Sequence, residues 1–200
     1  MRSAVYSPHT MTIDNNFLEC VREADWASAL LLVERGQVEP SLVVADSPVF
    51  ARLVELDAPS NLIESLLKHF VRTQSVDQDR LGLLEICLCQ SSTKAHAFET
   101  FSSLLAHGLS PNIIVAGKGC TLLQEAMELN KVREVNELIS HGVDPQQMSV
   151  YGGESTSNLE EAMRLGNAAA KVVLMHFRAN SQGTTGRWSG RLEKLETQHQ

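Results

Sequence analysis

Apolar residues recur along this chain at i, i+3, i+4 and i+7 in short bursts, and the bursts come in pairs. "FLECVREAD" (17–25) leads into "WASALLLVERG" (26–36), and "PVFARLVEL" (48–56) into "SNLIESLLKHF" (60–70). "LGLLEICLCQ" (81–90) precedes "AFETFSSLLAHG" (97–108), and "TLLQEAMELN" (121–130) precedes "VREVNELISHG" (132–142). The last pair is "SNLEEAMRLG" (157–166) and "AAAKVVLMHF" (168–177). Each burst predicts a short amphipathic helix. Isolated helices of this length are marginal in water, so their apolar faces must be buried against neighbouring pairs. Two antiparallel helices per unit, stacked unit on unit, provide that burial.

The second helix of each pair ends on a recurring signal. Arg35, His69, His107, His141 and His176 follow one another at separations of 34, 38, 34 and 35 residues. A period near 34 predicts an all-α solenoid of about five helix pairs. Gly36, Gly108 and Gly142 stand one residue further on, where a helix end calls for positive φ. Asp25, Asn130 and Gly166 fall where the first helix of a pair must turn into the second. The imidazoles themselves read as helix-end groups, because a cation there meets the negative end of the dipole. Arg35 fills the same place in the first unit, and Arg neither ligates metals nor acts as a base. Side chains one repeat apart, roughly 10 Å by helix packing, also cannot share a metal ion.

Two stretches carry a family resemblance. "GCTLLQEA" (119–126) is similar to the G-x-T-P-L-H-x-A box that opens an ankyrin repeat, with Leu122 for the Pro and Gln124 for the His. "LLAHGLSPN" (104–112) and "LISHGVDPQ" (138–146) resemble the L-L-x-x-G-A-D-x-N ending of such repeats. Thr121 can cap the helix start through its hydroxyl. The resemblance implies an ankyrin-type solenoid over 15–180, with units near 15–46, 47–78, 79–118, 119–154 and 155–180. A flexible leader (1–14) would precede it, and a tail (181–200), disordered or a short helix, would follow. The pattern is degenerate elsewhere. Units one, two and five lack the opening box, unit three has "DRLGLLEIC" in its place, and Phe70 and Phe177 stand where Gly is expected, so those ends must turn differently.

Composition narrows the function classes. Aromatic residues make up 5% of the chain, a palette that suits packed helices better than a β-sandwich. No apolar run approaches a membrane span, and the N-terminus has no apolar signal core, which points to a cytoplasmic, membrane-free chain, with export as an effector the alternative. A net charge of −7 argues against nucleic acid as the partner. Cys20, Cys87, Cys89 and Cys120 show no C-x-x-C spacing, so no metal site and no cofactor are expected, and buried free thiols are the plain reading. Cys120 sits at a helix start, a place that can lower a thiol pKa, and is the one candidate nucleophile. "AGKG" (116–119) lacks Walker spacing, and no nucleophile elbow appears.

What remains is surface. Ankyrin repeats typically bind partner proteins through the tips between units and the exposed positions of each first helix. Carried to this chain, the tips are "IIVAGK" (113–118) and "QMSVYGG" (147–153). The partner-binding residues they imply are Ile113, Lys118, Met148, Val150 and Tyr151. From the first helices come Gln124 and Glu128, with Glu125 beside them, and Arg164 with Glu161. For Val150 and Tyr151 a second reading, folding back onto the fifth unit, stands beside the first. Trp188, between Arg187 and Arg191, is either a docking anchor or a lid on the last repeat. The expectation is a non-catalytic protein-binding module, such as an inhibitor, immunity, adaptor or secretion-related factor of bacterial style. A host-directed effector and an enzyme using Cys120 are the alternatives.

Overall fold

The computed structural model describes residues 8–38, 47–70, 82–115, 117–151 and 153–183. Side chains are described over 16–38, 50–68, 82–115, 117–150 and 153–177. The structure is mostly helical, with one short two-stranded sheet. The chain divides into two compact units, Met1–Ser110 and Pro111–Gln200.

The first unit contains α1 (Pro8–Glu23), α2 (Trp26–Glu34), α3 (Ser47–Glu55), α4 (Ser60–Phe70), α5 (Gly82–Gln90) and α6 (Ala97–Ala106). First helices pack on first helices (α1 on α3, α3 on α5), and second on second (α2 on α4, α4 on α6). That two-layer stacking follows from the 3.6-residue apolar stripe. Phe50, Leu53 and Val54 of α3, Leu62, Ile63, Leu66 and Leu67 of α4, and Leu83, Leu84, Cys87 and Leu88 of α5 are all buried. Helix α1 begins nine residues before its apolar pattern does. Pro8 opens it, in a first turn where a missing N–H costs nothing, and the expected leader is therefore partly helix.

The turns inside pairs rest on left-handed residues: Ala24 between α1 and α2, and Asp57 between α3 and α4. Asp25 then caps α2, its Oδ1 accepting the Ser28 N–H at 3.2 Å. Asp57 also reaches its neighbour pair, where its carboxylate accepts the backbone N–H groups of Ala95 (3.2 Å) and His96 (2.8 Å). It thereby grips the exposed donors at the start of α6.

The second unit contains α7 (Leu122–Glu128), α8 (Val132–Ser140), β1 (Met148–Tyr151), β2 (Glu154–Ser157), α9 (Asn158–Leu165) and α10 (Ala168–Gly183). Here α7 packs on α9 and α8 on α10. Thr121 and Ser157 open α7 and α9 with reciprocal capping boxes. Thr121 Oγ1 accepts the Gln124 N–H, and Gln124 Oε1 accepts the Thr121 N–H at 2.9 Å; Glu160 does the same for Ser157 at 2.8 Å. Asn130, left-handed like Asp57, accepts the Ala169 N–H at 3.1 Å, and Asn167 Nδ2 donates to the Met127 carbonyl at 2.6 Å. Gly166 ends α9 at φ +59°.

Two sequence expectations change. The segment 148–157, expected as a connector, is an antiparallel hairpin pairing Met148 with Ser157, Ser149 with Thr156, Val150 with Ser155 and Tyr151 with Glu154. Phe177 does not end its helix, because α10 runs on to Gly183; His176 and Phe177 stand edge to face within it. At two of the helix ends the histidine also makes a hydrogen bond. His107 Nδ1 donates to the Ser103 carbonyl at 2.8 Å and His141 Nδ1 to that of Glu137 at 3.0 Å, each adding a second donor to a carbonyl that already accepts the histidine's own backbone N–H. Trp188 and the tail beyond 183, the leader before 8 and the 71–81 connection lie outside the described residues.

Candidate functional site

Two tips lie side by side in the second unit. The first is a tight turn held by Val115 N–H donating to the Cys120 carbonyl at 2.8 Å and Leu122 N–H to that of Ile113 at 3.0 Å, with Ile114 bridged to Thr121. Extended backbone sends alternate side chains to opposite sides. Ile113 and Val115 therefore turn inward and Ile114 outward. Ile113, expected on the surface, is only 3% exposed, whereas Ile114 is 43% exposed.

The second tip is the β1–β2 hairpin. Met148 is 52% and Val150 63% exposed, while Ser149 between them is buried. Tyr151 closes β1 opposite Glu154 in register. The two tips touch through backbone. Gly119, at φ +77°, leaves its Cβ position 2.4 Å from the Val150 carbonyl oxygen, a space no side chain can enter. Ile114, Gly119, Met148, Ser149, Val150 and Ser155 together line a shallow, open depression of about 350 Å³.

Behind the tips lies a polar layer. Gln124, expected on the outer face of its helix, is 2% exposed because its amide is folded back into the capping box and accepts the Ser149 hydroxyl at 2.6 Å. Thr121 Oγ1 donates to Asn158 Oδ1, and Asn158 Nδ2 donates to the Asp144 carbonyl at 2.7 Å. Asn112 Oδ1 accepts the Asp144 N–H at 2.7 Å. These bonds tie the start of α9 and the chain entering the hairpin to the preceding tip.

Beside it the predicted charged residues do come together. Lys118 Nζ meets Glu125 Oε1 at 2.6 Å, Arg164 Nε meets Glu161 Oε2 at 2.9 Å, and Arg164 lies 3.9 Å from Glu128. Partial burial, reinforced by Glu125 and Glu161, raises the Glu128 carboxyl above its ordinary range. Cys120 lies in the same layer with Sγ 3.7 Å from Glu125 Oε2. Burial and that carboxylate push its thiol up to about 12, the reverse of the lowered value its helix-start position suggested. Cys87 is buried and Cys89 exposed, as thiols two apart on a helix should be.

No protein-family model, curated protein or solved structure matches the chain. Among the described residues no group of three or more His, Cys, Asp or Glu side chains could hold a metal ion, and no helix is long and apolar enough to cross a membrane.

Sequence reasoning missed Ile114 and the hairpin itself. The signal for the hairpin was present: a Gly-Gly doublet at 152–153 between "SVY" and "EST" is a two-residue turn signature.

Proposed function

We propose that this chain is a non-catalytic, ankyrin-type protein-binding module that docks a partner on the paired tips of its second unit. One observation carries the reading: Ile114, Met148 and Val150 are large apolar side chains exposed to water on hydrogen-bonded, paired backbone. Apolar anchors on a rigid support are what protein interfaces use.

Several features support the ankyrin-type reading. Helices pair antiparallel, first helices pack on first and second on second, and the connector between the fourth and fifth pairs is a projecting hairpin. The capping boxes at Thr121 and Ser157 and the glycines at positive φ after α2, α6 and α8 recur with the repeat. Against the cysteine-enzyme alternative stands the state of Cys120, buried and strongly biased toward the protonated thiol, which is not a nucleophile.

The test is affinity capture with quantitative mass spectrometry, comparing the intact chain with Met148→Asp and Val150→Asp. Both sites are exposed, so melting temperature should hold while partner recovery falls by about tenfold, the loss expected of a central anchor. Unchanged recovery with both variants moves the site elsewhere.

A further inference from the structure

The tips have an electrical as well as an apolar side. Gly119, which lines the apolar depression, is followed directly by Cys120, whose sulfur contacts Glu125. Cys120, Glu125 and Glu161 are buried, and Glu128, at the other end of α7, is the partly exposed carboxylate of the group. Three carboxylates thus lie beside two cations: Lys118 is engaged with Glu125, and Arg164 with Glu161, while Arg164 stands further from Glu128, at 3.9 Å. Glu154, exposed and next in sequence to Ser155 of the depression's lining, adds a further negative charge.

Resting on the tip-docking reading, we infer that the occupant of this depression is a peptide segment of a partner protein that carries a Leu, Ile or Met side chain flanked by Lys or Arg. The apolar residue fills the space between Ile114, Met148 and Val150, and the cation completes the charge balance at Glu128. An acidic segment would add like charge beside Glu128 and Glu154. A wholly apolar one would strip water from Glu128 and give nothing back, which is costly for a carboxylate. Partial burial first, and then the neighbouring carboxylates, outweigh the cations beside Glu128 and raise its carboxyl, in keeping with a place for a further cation.

The experiment is selection of random peptides displayed on phage against the intact chain, followed by fluorescence anisotropy with the selected peptides made synthetically. Melting curves accompany each variant. The expected peptides are rich in Lys and Arg around an aliphatic residue or Met. Their Kd rises about tenfold with Val150→Asp and about fivefold with Glu128→Lys, and it also weakens with added salt. Glu128→Gln, which removes the charge without adding another, gives a smaller rise of the same sign. Peptides that are lost on Val150→Asp but are acidic or neutral, or that ignore both Glu128 variants, overturn the basic occupant and leave tip docking standing. Peptides indifferent to Val150→Asp, or no selection at all, overturn both.

Discussion

Asp57 accepts the backbone N–H of His96 at 2.8 Å across 39 residues of chain. The same separation joins Asn130 to Ala169 in the second unit. In both, a left-handed residue in the turn of one pair seizes the start of the second helix of the next. A short polar side chain serves two ends there, since Asp and Asn tolerate positive φ and carry an acceptor. Asp57→Ala should lower unfolding free energy by about 2 kcal/mol, through the lost charge-assisted bonds and the strain of Ala at φ +59°. Asp57→Gly removes the bonds but relieves the strain, so it should cost less. Urea denaturation gives the order; equal midpoints for Asp57→Ala and the parent would dismiss the clamp.

Gly119 and Gly142 share a left-handed backbone, at φ +77° and +79°. They differ in what stands opposite: the Val150 carbonyl at 2.4 Å for Gly119, and open space within 4 Å for Gly142. Gly142→Ala should therefore lose about 1 kcal/mol, from φ alone. Gly119→Ala must also separate the two tips, and should lose at least twice that. Matching thermal shifts for the two variants would mean that the tips do not depend on this approach.

The pH response of Glu128 has a definite sign. Its folded pKa lies above the unfolded one, so between the two the native state binds more protons, and stability falls as pH rises through that window. Glu128→Gln should thus be more stable than the parent at neutral pH, and the advantage should vanish below the unfolded carboxylate pKa. Asp25 runs the other way. Ser28 hydrogen bonds hold its carboxyl low, so its contribution is present at neutral pH and is lost as pH falls through the folded value. Melting temperatures across pH 3–8 for Glu128→Gln and Asp25→Ala, a span set by the carboxylate range, should therefore diverge in opposite directions. Parallel curves would refute both assignments.

Thiol chemistry should separate by site. At pH 8 a thiol with pKa near 12 holds roughly a thousandfold less thiolate than an ordinary exposed cysteine. Iodoacetamide followed by peptide mass spectrometry should label Cys89 first, and Cys120 and Cys87 only on unfolding. Cys120 labelling as fast as free cysteine would reopen the enzyme reading.

The helices were legible because their signals are local. Each has an apolar stripe, and most have a capping Ser, Thr or Asp or a terminal Gly; observed ends from α2 to α9 fall within about two residues of the pattern. The site was legible only in part, because surface position depends on pairing that no stripe encodes. Ile113 and Ile114 are the same residue type in adjacent places, and only the turn joining Val115 to Cys120 decides which one faces water. Gln124 carries an amide that suits a surface, yet its service to the Thr121 and Ser149 groups draws it inside.

Val150 is divided between two tasks. Its carbonyl is the wall against which Gly119 rests, and its side chain takes no part in that contact. Mutation at this codon therefore leaves the architecture alone and changes only what the tip offers to a visitor. The same freedom belongs to Ile114 and Met148. A lineage could exchange all three for new targets without first acquiring stabilising changes elsewhere, and an engineer could randomise them as a small library on a ready-made scaffold.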